Sequence, residues 1–240
     1  MFSQTFTSLP IENILIGEAS RMSTSLNLHK MRGDGEKEKL IQRTFWIIYC
    51  LDNDTGFNSG RSTVCEYLSH PPTKVPSAYT PPTQTIPGYD ITCPIPETPI
   101  SPVQDFDWLR CWATYSKLLA QVYENLFSGK ARSKSRQDLQ KELDQAVEDL
   151  ETWKFMIPDF LAPWISIRPH RFANAAGTLL ALRIHFLYHN LRFALLRTQI
   201  VLSVNNGEKY ASSRVSLAAS ARAVIDATQF IPLEPFTSPW

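Results

Sequence analysis

Apolar residues along this chain recur at helical intervals in almost every segment that is not rich in proline. Between residues 11 and 28, Ile11, Ile14, Leu15, Ala19, Met22 and Leu26 fall three or four apart, which makes one face of an amphipathic helix. His29 to Gly35 contains two glycines and reads as a connection. A second helix is predicted over residues 36–51, with Leu40, Ile41, Phe45, Ile48 and Leu51 on one side. The polar, glycine-containing run from Asp52 to Gly60 is expected to stop it.

Ten of the 17 prolines fall in residues 71–102. Proline removes backbone donors and fixes φ, so neither a helix nor a central strand is expected there. A long loop is predicted over residues 65–104. Helical periodicity returns at Asp105, with Phe106, Leu109, Trp112, Leu119, Val122, Tyr123 and Leu126 marking a helix that ends near Ser128-Gly129. The next helix spans residues 135–155 and carries Leu139, Leu143, Ala146, Leu150 and Trp153 in a near-heptad rhythm. That rhythm lasts barely two heptads, so it reads as internal core rather than a coiled-coil seam. Pro158, Pro163 and Pro169 then interrupt the chain. Two further helices are expected, over residues 172–204 and 209–230, separated by Asn205-Asn206-Gly207. No strand pattern and no repeat of fixed period is visible. The fold expected is all-α: an irregular bundle of about six helices with a long proline-rich loop.

Composition narrows the function classes. The 240 residues are 43% hydrophobic and 20% charged, as in ordinary globular proteins. Lysine and arginine number 24 against 23 acidic residues, for a net charge of +1, which argues against a dedicated nucleic-acid-binding face. Cys50, Cys65, Cys93 and Cys111 are isolated, so neither the close ligand spacing of a zinc site nor a disulfide scaffold is indicated. The N-terminal segment lacks the basic start and unbroken apolar stretch of a signal peptide, and the chain reads as soluble and intracellular.

Sequence features that invite chemistry have plainer alternatives. Asp52-Asn53-Asp54 resembles the start of a calcium loop, but Phe57 and Thr63 stand where that loop needs Gly and Glu. A helix-ending polar cluster is the preferred reading. His185 and His189 have zinc-compatible i,i+4 spacing, yet Phe186 replaces the glutamate of the HExxH pattern, so packed or hydrogen-bonded histidines are expected. Lys130, Arg132, Lys134 and Arg136 read as a solvated loop between helices rather than a phosphate contact. No nucleophile elbow or phosphate-binding glycine loop occurs.

Several segments, in order, resemble the fungal-specific transcription factor domain, the middle homology region of zinc-cluster regulators. Gly17-Glu18-Ala19-Ser20-Arg21-Met22 with Leu26-Asn27-Leu28-His29 is similar to that family's helix and its Leu-Gly-Leu-His type turn. Arg43-Thr44-Phe45-Trp46 through Leu51-Asp52 looks like its most recognisable helix, and Gly60-Arg61-Ser62 like the Gly-Arg segment that follows. Asp90-Ile91-Thr92-Cys93-Pro94-Ile95-Pro96 is similar to its acidic, proline-closed segment. These motifs cover residues 17–96; beyond them the helices are merely compatible.

The resemblance implies a regulatory, non-catalytic region controlling RNA polymerase II transcription in the nucleus, with the whole of residues 1–240 belonging to one such domain. Arg43, Phe45, Trp46, Asp52, Gly60, Arg61, Asp90, Pro94 and Pro96 would be structural motif residues, with no catalytic, cofactor or metal residue among them. Asn53 departs from the family's usual Arg. Residues 65–84 lengthen the spacer between motifs, as a natural loop or a translated intron. The family's six-cysteine zinc cluster, through which DNA would be bound, is absent here, so this chain is expected to be part of a longer protein and to hold no cofactor itself. Expected partners are co-regulators or a small-molecule inducer, with no membrane. The rival classes are an all-α enzyme such as a terpene-cyclase-like protein, and a helical protein-interaction module.

Overall fold

The structure is a computed structural model that describes residues 9–30, 35–60, 93, 95–96, 106–172 and 175–231. The fold is all-α, and six α-helices appear among the described residues: α1 (Leu9–Ser25), α2 (Glu36–Ser59), α3 (Trp108–Val122), α4 (Arg136–Lys154), α5 (Ala175–Leu202) and α6 (Gly207–Thr228). Apart from Cys93, Ile95 and Pro96, the expected proline-rich loop lies outside the described residues. The helices fall into two compact units, Ser8–Glu97 with α1 and α2, and Thr98–Trp240 with α3 to α6.

In the first unit α1 packs on α2. The chain leaves α1 through a left-handed Asn27 at φ 52°. The Leu28 amide donates to the Ser23 carbonyl at 3.1 Å and the Asn27 amide to the Thr24 carbonyl at 2.9 Å. This is a Schellman ending, which satisfies carbonyls the helix would otherwise leave bare.

Two expectations for this unit are overturned. First, α2 does not stop at Leu51 but continues to Ser59, carrying Asp52-Asn53-Asp54 within it. Asn53 is buried and donates from Nδ2 to the Tyr49 carbonyl one turn back at 2.9 Å, so its side-chain N–H group is engaged inside the helix while its Oδ1 is buried without a partner among the described residues. The stop comes at Gly60, at φ 65°, a conformation glycine adopts without steric cost. Second, the buried residues of α2 are Gln42, Phe45, Trp46, Tyr49, Cys50, Asp52, Asn53 and Gly56, whereas Leu40 is exposed and Ile41, Ile48 and Leu51 are half-buried. The stripe is rotated by roughly one residue, about 100°, because the large aromatics rather than the aliphatics are enclosed.

The second unit is built around α5. Its Leu180, Ala181, Leu182, Ile184, Tyr188, Leu191 and Leu195 are buried, while Phe186, Phe193 and Ile200, on the other side, are half-buried. From α3, the Tyr115 hydroxyl donates to the Leu187 carbonyl at 2.8 Å, and Arg183 lies over the Trp112 ring at 4.4 Å. Trp153 of α4 donates its indole N–H to the Cys111 carbonyl at 2.9 Å and packs on the Tyr115 ring. Leu143, Ala146, Leu150 and Trp153 are all buried and Leu139 is half-buried, so the near-heptad stripe is core as expected from Leu143 onward.

Boundaries in this unit follow local chemistry. The Ser135 hydroxyl accepts from the Asp138 amide and opens α4, and the Asn206 side chain does the same for the Lys209 amide at the start of α6. A π-turn at Tyr123–Phe127 closes α3, and the proline-bearing connection from α4 to α5 contains short 3-10 turns at Asp159–Leu161 and Pro169–Arg171. A Cβ at Gly177 would stand 2.9 Å from the Phe172 side chain, so the bare backbone lets this connection press onto the first turn of α5. No described helix is long and apolar enough to cross a membrane.

Candidate functional site

Of the motif residues expected from sequence, Arg43, Phe45, Trp46 and Asp52 lie on α2 and Gly60 at its end. Phe45 and Trp46 are fully enclosed, and each stands edge-on or tilted to its neighbours. Trp46 lies 5.3 Å from Phe45 and 5.3 Å from Tyr49, both T-shaped. His29, just after the Schellman turn, reaches Phe45 at 6.0 Å and so ties the end of α1 to α2. Arg43 is half-buried, Asp52 is buried, and Gly60 caps the helix. Pro96 is buried; Arg61, Asp90 and Pro94 lie outside the described residues.

Asp52 and Asp54 sit on a continuous helix two residues apart, hence about 200° apart around its axis. Residues at that spacing do not face one another, so the pair cannot grip one cation as an aspartate-rich metal motif does. Among the described residues no three His, Cys, Asp or Glu side chains come together as a metal-binding group.

The basic loop is largely tied down by neighbours. Lys130 pairs with Glu124 at 2.9 Å, and Lys134 with Glu142 at 2.9 Å and the Asn125 carbonyl at 3.2 Å. Arg136 donates to the Leu202 carbonyl at the end of α5. These cations hold helix ends together rather than forming an open row for phosphates.

A second assembly centres on His185 and His189 of α5, both buried, with ring centroids 6.4 Å apart. The His189 Nε2 stands 3.3 Å from the Pro163 carbonyl, and His185 hydrogen-bonds the backbone of Ala162. A carbonyl only accepts, so the His189 Nε2 carries the proton. Burial pushes His185 down to about 4 from 6.5, helped by the like charge His189 would carry. Burial also lowers His189, with Arg192 adding a smaller repulsion. Both imidazoles are therefore neutral near pH 7, and the His189 Nδ1 bears a lone pair. That atom is buried without a hydrogen-bond partner. The expectation of packed, hydrogen-bonded histidines holds. What sequence reasoning missed is the cavity beside them, because its wall comes from α6 and from the 163–167 connection, far apart in sequence.

The described residues thus define an all-α scaffold in which Phe45 and Trp46 are enclosed in packing and Gly60 ends a helix. The chain is 28% identical to a protein of Aspergillus fumigatus named ABC-transporter-regulating transcription factor, over 94% of this chain and 26% of that protein. It is 29% identical to a protein of the same name from Aspergillus oryzae, again over 94% of the chain and 26% of the relative. It spans about a quarter of the length of the curated relatives it matches. No family model matches the chain, and no solved structure does.

Proposed function

We propose that this chain is the regulatory, non-catalytic region of a fungal zinc-cluster transcription factor, acting in the nucleus on RNA polymerase II transcription. The observation that carries this reading is its similarity to two proteins named as transcription factors, over 94% of its length. The motif helix supports it, because Phe45, Trp46 and Gly60 have scaffold roles such as the resemblance to the middle homology region implies. A zinc cluster carried outside this chain would bind DNA, and the present helices would set how strongly the bound factor recruits co-regulators. Genes for ABC transporters are the proposed targets, by the names of the relatives.

The test is a fusion of the whole chain to an unrelated DNA-binding domain, read on a matched reporter in a fungal nucleus. The fusion is expected to shift reporter output up or down relative to the DNA-binding domain alone, and Trp46→Ala to abolish the shift. Unchanged output from a fusion that is expressed, nuclear and folded would overturn the reading.

A further inference from the structure

The neutral histidine pair borders an open cavity of about 290 Å³. That is roughly twice the ~150 Å³ of an engineered apolar cavity that holds one benzene, so a bicyclic ring system is the natural size of occupant. Its walls come from α5, α6 and the 163–167 connection, all within one compact unit. Trp164 and Phe230 supply aromatic surface, and Ala223 leaves space where a larger side chain would fill it.

Two residues of this wall, His189 and Ser220, each carry a buried polar atom without a hydrogen-bond partner: the His189 Nδ1 and the Ser220 Oγ. His189 is 3% exposed and Ser220 1%, so open solvent does not satisfy them. An unmet buried polar group carries a desolvation cost that a ligand group of matching character removes. The His189 atom is an acceptor, since its ring proton is committed to the Pro163 carbonyl. The hydroxyl of Ser220 can donate or accept. Of the charged residues on the wall, Arg192 and Asp226 carry opposite signs, and the Arg192 guanidinium is engaged with the Tyr188 hydroxyl at 3.2 Å. No excess charge is left to attract an ion.

We propose that this cavity is a binding site for a small, neutral, largely aromatic ligand bearing one N–H or O–H donor, which the His189 Nδ1 accepts. The aromatic body packs between Trp164 and Phe230, and the single donor sets its orientation. Ligand seated there bridges α5, α6 and the 163–167 connection, so it stabilises their packing by mass action on the folded state. The site rests on the geometry of this one compact unit and stands independently of the transcriptional reading. Ligand binding together with a silent reporter would sink only the latter.

Indole and benzofuran are the probes, since they share a bicyclic outline and differ in the N–H donor. Calorimetric titration of the purified chain should show saturable, one-to-one indole binding, with benzofuran weaker by about tenfold or more, as expected when a buried acceptor is left unmet. The His189 ring-nitrogen resonance should move on adding indole. Ala223→Trp, with helical content confirmed by circular dichroism, should lose the binding. Absence of indole binding up to its solubility limit would overturn the proposal, and so would equal affinity for benzofuran. Binding that leaves the His189 resonance unmoved, or that a folded Ala223→Trp chain retains, would overturn it as well.

Discussion

Trp46 has no exposed surface and sits between two aromatic neighbours on its own helix. Replacing it with Ala removes the largest fully buried side chain among the described residues and leaves a cavity, a change that costs roughly 3–5 kcal/mol. Chemical denaturation of the Trp46→Ala chain is the measurement, and an unchanged midpoint would refute the packing role given to α2. His185 makes a different kind of contribution. Its pKa is lowered to about 4 in the fold against 6.5 when free. Below 6.5 the unfolded chain takes up a proton that the folded chain refuses. The stability it contributes is therefore complete above pH 6.5 and is lost as pH falls toward 4, by roughly 3 kcal/mol. Denaturation midpoints between pH 7 and 4 should fall more steeply for the parent than for His185→Gln.

At the scale of the element, the two ends of the α1–α2 pair make opposite predictions. Asn27 and Gly60 both hold a left-handed backbone, at φ 52° and φ 65°. Side chains of L-residues resist that region by roughly 1–2 kcal/mol, asparagine less than most. Asn27→Gly should therefore raise stability, by up to about 1 kcal/mol, and Gly60→Ala should lower it by about 1 kcal/mol. Among the described residues no neighbour lies within 4 Å of a Cβ built at Gly60, so the second effect is one of backbone strain. Thermal melts of the two variants should move in opposite directions. The extension of α2 through Asp52 to Ser59 shows the same accounting. Residues that usually end helices are retained because Asn53 and Ser59 turn back to carbonyls of the preceding turn, at 2.9 Å and 2.6 Å.

Across the molecule, the apolar periodicity of α1 does not coincide with burial. Ile11, Ile14, Leu15, Met22 and Leu26 share an arc of the helix and are all exposed, whereas its buried positions are Ser20 and Ser23. An apolar stripe of this kind favours association. Light scattering should show mass rising with concentration, and Ile14→Lys combined with Met22→Lys should reduce that rise without changing helical content. Residues 65–84 make the converse prediction. Their proline content gives them little to contribute to a helical core. Deleting them should leave both helical content and thermal midpoint close to the parent values, and a large loss in either would show that the segment is integral.

Local patterning alone determined the class and order of the elements. Six helices, their approximate ends at Ser135, Asn206 and the prolines after α4, and the buried stripe of α4 all follow from spacing and capping chemistry. Those signals act over one or two turns and are therefore written in consecutive residues. The tertiary structure decided which face of each helix found a partner. Periodicity groups the aliphatics of α1 and α2 on one side, but burial depends on what packs opposite, and that turned α2 toward its aromatics and left the α1 stripe in water. It also decided the character of the histidine pair. His185 and His189 are legible as i,i+4 neighbours, but their neutrality and the unpaired Nδ1 arise because residues 162–163 and α6 close over them. Such a pocket joins residues about 60 positions apart, so no local pattern announces it.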